Sequence, residues 1–239
     1  MRIQGAVALV TGANRGLGRE FARALLERGA RTVYAGARDP RRVTDGELVP
    51  VALDITDPSS VAAVAERCRD VTLLVNNAGI ARTASLLGAP SLDDARAEME
   101  TNYFGTLAMC RAFAPILGAN SGGAIVNVLS IASFRPSTFL GSYAASKAAE
   151  WSMTNAVRLE LAEQGTLVVG VHAGFIDTDM AAGFDALKST PEEVVAQVLD
   201  AVEAGRVEVL ADERTRAAKA ALSSGPEVAA APSPALRTR

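Results

Sequence analysis

The sequence has 239 residues, 49% hydrophobic and 21% charged, enough apolar material for one domain with a sizeable core. A net charge of -3 disfavours a broad electrostatic footprint for nucleic acid, and a single histidine, His172, argues against histidine-rich metal sites and a Ser-His-Asp triad. No apolar run is long enough to span a bilayer, the opening "MRIQGAVALVTGANRG" lacks the pattern of a secretory leader, and two unspaced cysteines, Cys68 and Cys110, read as reduced thiols of a cytoplasmic protein.

Strand-like runs alternate with helical patterns along the chain. "AVALVTG" (6–12) reads as a buried strand, and "GREFARALLERGA" (18–30) as a helix stopped at Gly29. Strand-like runs follow at 31–37 and 48–54, then a helix over 58–69 with Pro58 in its first turn. "VTLLVNNAG" (71–79) is an apolar strand opening into a polar turn. A long helical region at about 91–117, a strand at 123–130, a helix at about 142–163 and a strand at 166–174 come next. A helix at about 191–204 and a strand at 206–211 complete the pattern. Regular alternation predicts an α/β fold: one Rossmann-like, doubly wound domain over 1–222, with an about seven-stranded parallel sheet covered by helices on both faces. Residues 223–239, rich in Pro, Ala and Ser without periodicity, read as a flexible tail.

"VTGANRGLGRE" (10–20) joins the first strand to the first helix. Gly12, Gly16 and Gly18 allow a sharp turn and close approach of a pyrophosphate, which the free N–H groups of the helix N-terminus would receive. The spacing is TGxxxGxG, neither GxGxxG nor the P-loop of nucleotide triphosphatases. At the end of the second strand, "AGARDP" (35–40), Arg38 stands where an acid would hold the ribose hydroxyls of NAD. With Arg15 in the glycine loop it suits a 2′-phosphate, which favours NADP(H) over NAD(H). The alternatives are two solvated arginines, or Asp39 reaching the ribose and selecting NAD.

Ordered along the chain, Thr11 through Gly18, Asp54, Asn76-Asn77-Ala78-Gly79, Asn102, Ser130, Tyr143-Ala144-Ala145-Ser146-Lys147 and Gly174 through Thr178 together resemble the short-chain dehydrogenases/reductases, over about residues 4–211. The resemblance implies a cofactor cleft formed by Gly12, Asn14, Arg15, Gly16, Leu17, Gly18, Arg38, Asp54, Ile55, Asn76, Ala78, Gly79, Tyr143, Lys147, Gly174, Ile176 and Thr178. Within it, Asp54 and the Ile55 backbone would meet adenine, Asn76 would pin the central strands, and Thr178 would donate to the nicotinamide carboxamide. Ala173 stands where the family usually has proline. The implied catalytic set is Asn102, Ser130, Tyr143 and Lys147: Ser130 on the substrate oxygen, Tyr143 as general acid/base, Lys147 on the ribose, and Asn102 kinking the long helix and holding a water of a proton relay.

A free phenol titrates near 10, so acid/base work at neutral pH requires a neighbouring positive charge, which Lys147 one helical turn on would supply. The implied activity is hydride transfer between NADP(H) and a carbonyl or alcohol, with no metal. The substrate side falls on loops carrying Ile80, Ser130, Ile131, Phe134, Phe139 and Phe175, mostly apolar, with Arg82 and Arg135 as exceptions. The short segment after Thr178 suggests an open cleft for a modest apolar ketone or aldehyde. His172 lies outside the catalytic set and reads as structural. The resemblance also implies a homodimer or homotetramer joined through the two long helices flanking the fifth strand, with a small-molecule substrate and neither nucleic-acid nor membrane partners. The rival readings are an NADP(H)-binding sensor or scaffold, which typically lacks the Tyr or Lys, and non-redox dehydration or epimerisation.

Overall fold

The computed structural model describes residues 1–83 and 85–224. Seven strands, all parallel, form one sheet: β1 (Val7–Thr11), β2 (Thr32–Ala37), β3 (Val49–Ala52), β4 (Leu73–Asn76), β5 (Gly123–Val128), β6 (Thr166–His172) and β7 (Glu208–Leu210). Their order is β3-β2-β1-β4-β5-β6-β7, so the sheet grows one way from β1 to β3 and the other way from β4 to β7. Ligand crevices in open α/β sheets lie at the carboxyl ends of the strands beside that reversal.

Alternating side chains of β1 divide between two cores. Val7 and Leu9 join Met109, Phe113, Leu117 and Val157 on one face, while Ala8 and Val10 join Phe21, Leu25, Val198 and Leu199 on the other. The first face is covered by α2 (Pro58–Arg67), α4 (Thr106–Ala119) and α5 (Gly141–Glu160), the second by α1 (Gly16–Glu27) and α6 (Pro191–Glu203). Local chemistry sets several boundaries. Asp57 caps α2 ahead of Pro58, Thr190 and Glu193 form a capping box on α6, and Gly29 leaves α1 at φ +82°.

Several expected elements differ. The first helix begins at Gly16 rather than 18. The stretch 71–79 is a strand opening into a turn, as expected: β4 ends at Asn76 and the next residues turn to bond Thr11. The long helical region is α3 (Asp93–Glu98), a π-helical turn (Met99–Gly105) and then α4. A further helix, α7 (Glu213–Ala220), capped by Asp212, lies beyond the last expected element. Of the expected tail, residues 225–239 lie outside the described residues. Among the described residues no helix is long and apolar enough to cross a membrane.

Candidate active site

Parallel register brings Thr11, Arg38, Asp54, Asn76, Ser130 and Gly174 to the carboxyl edge of the sheet. The glycine turn is tightly constrained there. A Cβ on Gly18 would stand 2.3 Å from the Gly12 carbonyl oxygen, and one on Gly16, at φ +51°, would meet the Thr178 methyl at 3.4 Å. The loop after β6 thus lies directly against the turn, and an exposed Arg15–Asp179 ion pair at 2.9 Å bridges them. Helix α1 receives no side-chain cap from Arg15 and carries no acid in its first turn. Its N–H groups and dipole end therefore suit an anion. Leu17 and Ile55 are buried, so each can meet a ligand only through its backbone. Asn14 is half-buried beside them.

The turn after β4 is clamped from both sides. Thr11 Oγ1 accepts the Asn77 and Ala78 N–H groups, both at 3.0 Å, and Asn77 Nδ2 donates to the Thr11 carbonyl at 3.0 Å. On the far side, Asn102 Oδ1 accepts the Ile80 N–H and its Nδ2 donates to the Ile80 carbonyl, both at 2.9 Å. Asn76 has the strand-pinning contact expected of it. It is buried, with its Nδ2 donating to Asn127 Oδ1 at 2.9 Å, and Asn127 donates onward to Thr154. The side chain of Asn76 therefore links β4 to β5 within the sheet.

Asn102 sits on the π-helical turn, a widening that frequently marks functional positions. Besides holding Ile80, it donates to Ser146 Oγ, and Ser146 donates to the Tyr143 carbonyl at 2.8 Å. The strand-four turn and the first turn of α5 thereby become one hydrogen-bonded unit. Lys147 is buried, donating to the Val128 carbonyl at 2.8 Å and to Glu150 Oε2 at 2.6 Å. An ammonium has three N–H donors, so one remains. A Cβ on Gly79 would lie 3.8 Å from Nζ and 3.1 Å from Asn102 Oδ1, which explains the bare backbone there. Burial opposes the Lys147 charge, but the Glu150 carboxylate, with Tyr143 nearby, overcomes it and holds the ammonium above the ordinary lysine value.

Ser130 follows β5, its Oγ accepting the Ala132 N–H at 3.1 Å, while its carbonyl meets His172 Nδ1 at 3.2 Å. Gly174 donates its N–H to Asp212 at 2.6 Å, which ties the loop bearing Thr178 to α7. Asp54 holds the Thr56 N–H and hydroxyl through Oδ1. After β2, exposed Arg38 makes no ion pair among the described residues, whereas Asp39 is engaged by Arg41 at 2.8 Å and caps the following turn.

On the substrate side, Ile80, Ile131, Phe139 and Phe175 are half-buried. Phe134 is a correction to the expected substrate set: its ring is buried, stacked on His172 at 4.1 Å and edge-on to Trp151 at 4.8 Å, so it packs beneath the loop. Thr11, Asn77, Ser146, Glu150 and Asp212 were not singled out as site residues from the sequence. The available signals were their places inside the matched motifs, an acid three positions after Lys147, and the Asp-x-x-Thr cap before α7.

This edge of the sheet is that of a dinucleotide-dependent enzyme fold. The short chain dehydrogenase family model matches residues 6–188. The chain is 34% identical to the 3-oxoacyl-[acyl-carrier-protein] reductase FabG of Vibrio cholerae, over 96% of this chain and 93% of the relative. Among solved structures, a short chain dehydrogenase from Burkholderia cenocepacia in complex with NADP superposes with a TM-score of 0.91 at 46% identity, covering 95% of this chain and 96% of that one. A short chain dehydrogenase/reductase from Burkholderia phymatum in complex with NAD gives 0.82 at 26% identity, covering 93% of each. The chain belongs to the short-chain dehydrogenase family. The residues present fit the nicotinamide dinucleotide that the fold takes, because the glycine turn excludes side chains where α1 offers its uncapped N-terminus.

Proposed function

We propose that the chain is an NADP(H)-dependent oxidoreductase that interconverts a carbonyl compound and its alcohol. The observation that carries the reading is the single network joining Asn102, Ser146, the Tyr143 backbone and the turn after β4, with the buried Lys147 ammonium beside that turn at Gly79. A bound nicotinamide supplies or accepts the hydride. The Ser130 hydroxyl holds the substrate oxygen, and the Tyr143 phenol gives its proton to the developing alkoxide or takes it back in the reverse direction. Lys147 places its remaining donor on the ribose and stabilises negative charge on the phenol, while Asn102 fixes the loop over the cleft. Thr178 takes the carboxamide, and Gly174 and Ile176 supply backbone beside it. Arg38 and Arg15 take the 2′-phosphate, and Asp54 meets adenine. The engagement of Asp39 by Arg41 leaves Arg38 as the better-placed group at that corner. The reductase relative supports the direction of reduction, and the NADP-bound neighbour at 46% identity supports NADP(H).

Ile80, Ile131, Phe139 and Phe175 make the substrate an apolar ketone or aldehyde. A groove between α4 and α5, lined by Leu107, Ala114, Ala149, Met153 and Ala156, is the surface through which copies pair as a dimer or tetramer. NADPH oxidation is measured against a panel of apolar, charged and phosphorylated carbonyls. Apolar members turn over, NADPH gives the higher kcat/KM, and Tyr143→Phe removes turnover while retaining cofactor affinity. Preference for NADH, reaction of charged carbonyls only, or an active Tyr143→Phe variant overturns the corresponding part.

A further inference from the structure

Glu150 is a carboxylate with 1% exposure, one turn along α5 from Lys147. Its Oε2 lies 2.6 Å from Lys147 Nζ, and Oε1 accepts from Thr106 Oγ1 at 3.3 Å, where α4 leaves the π-helical turn. Burying an acid here is costly unless it is paired, and both carboxylate oxygens have partners. Burial pushes the Glu150 carboxyl above the usual carboxylate range, while the Lys147 ammonium and the Thr106 hydroxyl oppose that rise, so the acid lies in the interior directly against the buried cation of the candidate site. Thr106 belongs to the helix that bears Asn102, so Glu150 also links the lysine to the asparagine's helix.

We propose that Glu150 is a positioning residue for Lys147: its carboxylate keeps the buried ammonium charged and takes one of its donors while the Val128 carbonyl takes a second, so that the third faces the cleft at Gly79. The proposal deepens the oxidoreductase reading and rests on it for its catalytic consequence. The ion pair itself does not depend on that reading. With Glu150 in place, Lys147 remains an ammonium through neutral pH. Without the carboxylate, burial favours the neutral amine, which no longer stabilises a phenolate and holds a ribose hydroxyl less firmly. The other titratable groups near the pair are Tyr143 on α5, Cys110 on α4 and His172 on β6. Burial keeps the Cys110 thiol uncharged, pushing it up to about 12, and keeps the imidazole neutral, pulling it down to about 4. Neither can replace Glu150 as counter-charge near neutrality.

The sequence contains three lysines, Lys147, Lys188 and Lys219, so lysine carrying ¹³C at Cε gives three signals, assigned with Lys188→Arg and Lys219→Arg. In the full-length protein without substrate, the Lys147 signal titrates above the ordinary lysine value, and in Glu150→Gln it moves down by about one pH unit or more. In the same variant kcat falls about tenfold or more, and the alkaline limb of the kcat/KM profile shifts toward neutrality with the Lys147 signal. Glu150→Asp restores part of both. A loss of packing would lower stability without moving either titration. A folded Glu150→Gln protein with wild-type Lys147 titration overturns the proposal. If Glu150→Gln does not fold, the wild-type signal decides, and titration at or below the ordinary lysine value overturns it. Coupled titration in a protein that turns over no carbonyl would instead defeat the oxidoreductase reading and leave the pairing intact.

Discussion

His172 Nδ1 lies 3.2 Å from the carbonyl oxygen of Ser130, which places the sequence's one imidazole directly behind the serine of the candidate site. It is fully buried, stacked on Phe134, and its Nε2 has no hydrogen-bond partner among the described residues. Burial pulls its pKa down to about 4, with the Ser130 carbonyl and Glu208 opposing. The neutral ring donates through Nδ1 to Ser130. Because the unfolded imidazole titrates near 6.5, the unfolded state binds more protons between about pH 6.5 and 4. Stability present above that window therefore drains away as pH falls through it, by about 3 kcal/mol in all. One imidazole signal in proton NMR should titrate near 4, and His172→Gln should flatten the acid slope of unfolding free energy. A signal titrating near 6.5 would contradict the buried neutral ring.

The glycine turn gives a steric prediction with an internal control. Gly18→Ala would push a methyl to 2.3 Å from the Gly12 carbonyl oxygen and 2.4 Å from Asn77 Nδ2, so backbone must move. It should cost about 2 kcal/mol of stability and weaken nucleotide binding, whereas Gly46→Ala, with nothing within 4 Å, should be neutral or slightly stabilising. Urea unfolding and cofactor titration of both variants compare the two. Equal behaviour would mean that the turn has slack that its contacts deny.

The architecture was legible because every strand and long helix carried its own pattern and two helices announced their starts. Asp57-Pro58 and Thr190-Pro191 are local signals of that kind. The candidate catalytic set was proposed through the resemblance. Tyr143 and Lys147 share a helix face, and Ser130 ends a strand. What stayed hidden was long-range pairing. No local pattern names Asn127 as the partner of Asn76 across 51 positions, or distinguishes a Phe134 in the cleft from one stacked under it. Glu150 carried no local signal of its burial, which depends on α4 packing against α5. Helix α7 was hidden for a related reason: it is polar and short, and its cap Asp212 is held by the distant Gly174 N–H.

The proposed preference for NADP(H) is tested at the corner where Arg38 makes no ion pair among the described residues and Asp39 does. Arg38→Ala should raise KM for NADPH about tenfold or more, the scale of one charge-assisted contact, and change KM for NADH by less than about twofold. Steady-state kinetics with both cofactors measure the split. Asp179→Asn should move NADPH affinity the other way, since it releases Arg15 from its exposed ion pair. That gain is small, because such pairs contribute about 0–1 kcal/mol. Equal losses with NADPH and NADH in Arg38→Ala would remove the 2′-phosphate role.

Lys147→Met separates what the buried ion pair does for stability from what the ammonium does for catalysis. The substitution leaves Glu150 buried opposite an apolar side chain, so the carboxylate must take up a proton or draw in water. Breaking such a pair from one side costs about 3–5 kcal/mol. Turnover should vanish and NADPH affinity should fall, because the donor toward the ribose is gone. Adding Glu150→Leu removes the stranded acid, and replacing a buried pair by apolar side chains is often neutral or stabilising. The double variant should therefore recover most of the lost stability in urea while turnover stays absent. A single variant as stable as wild type would mean that the pair is hydrated in solution. A double variant that regains turnover would take the catalytic role away from Lys147.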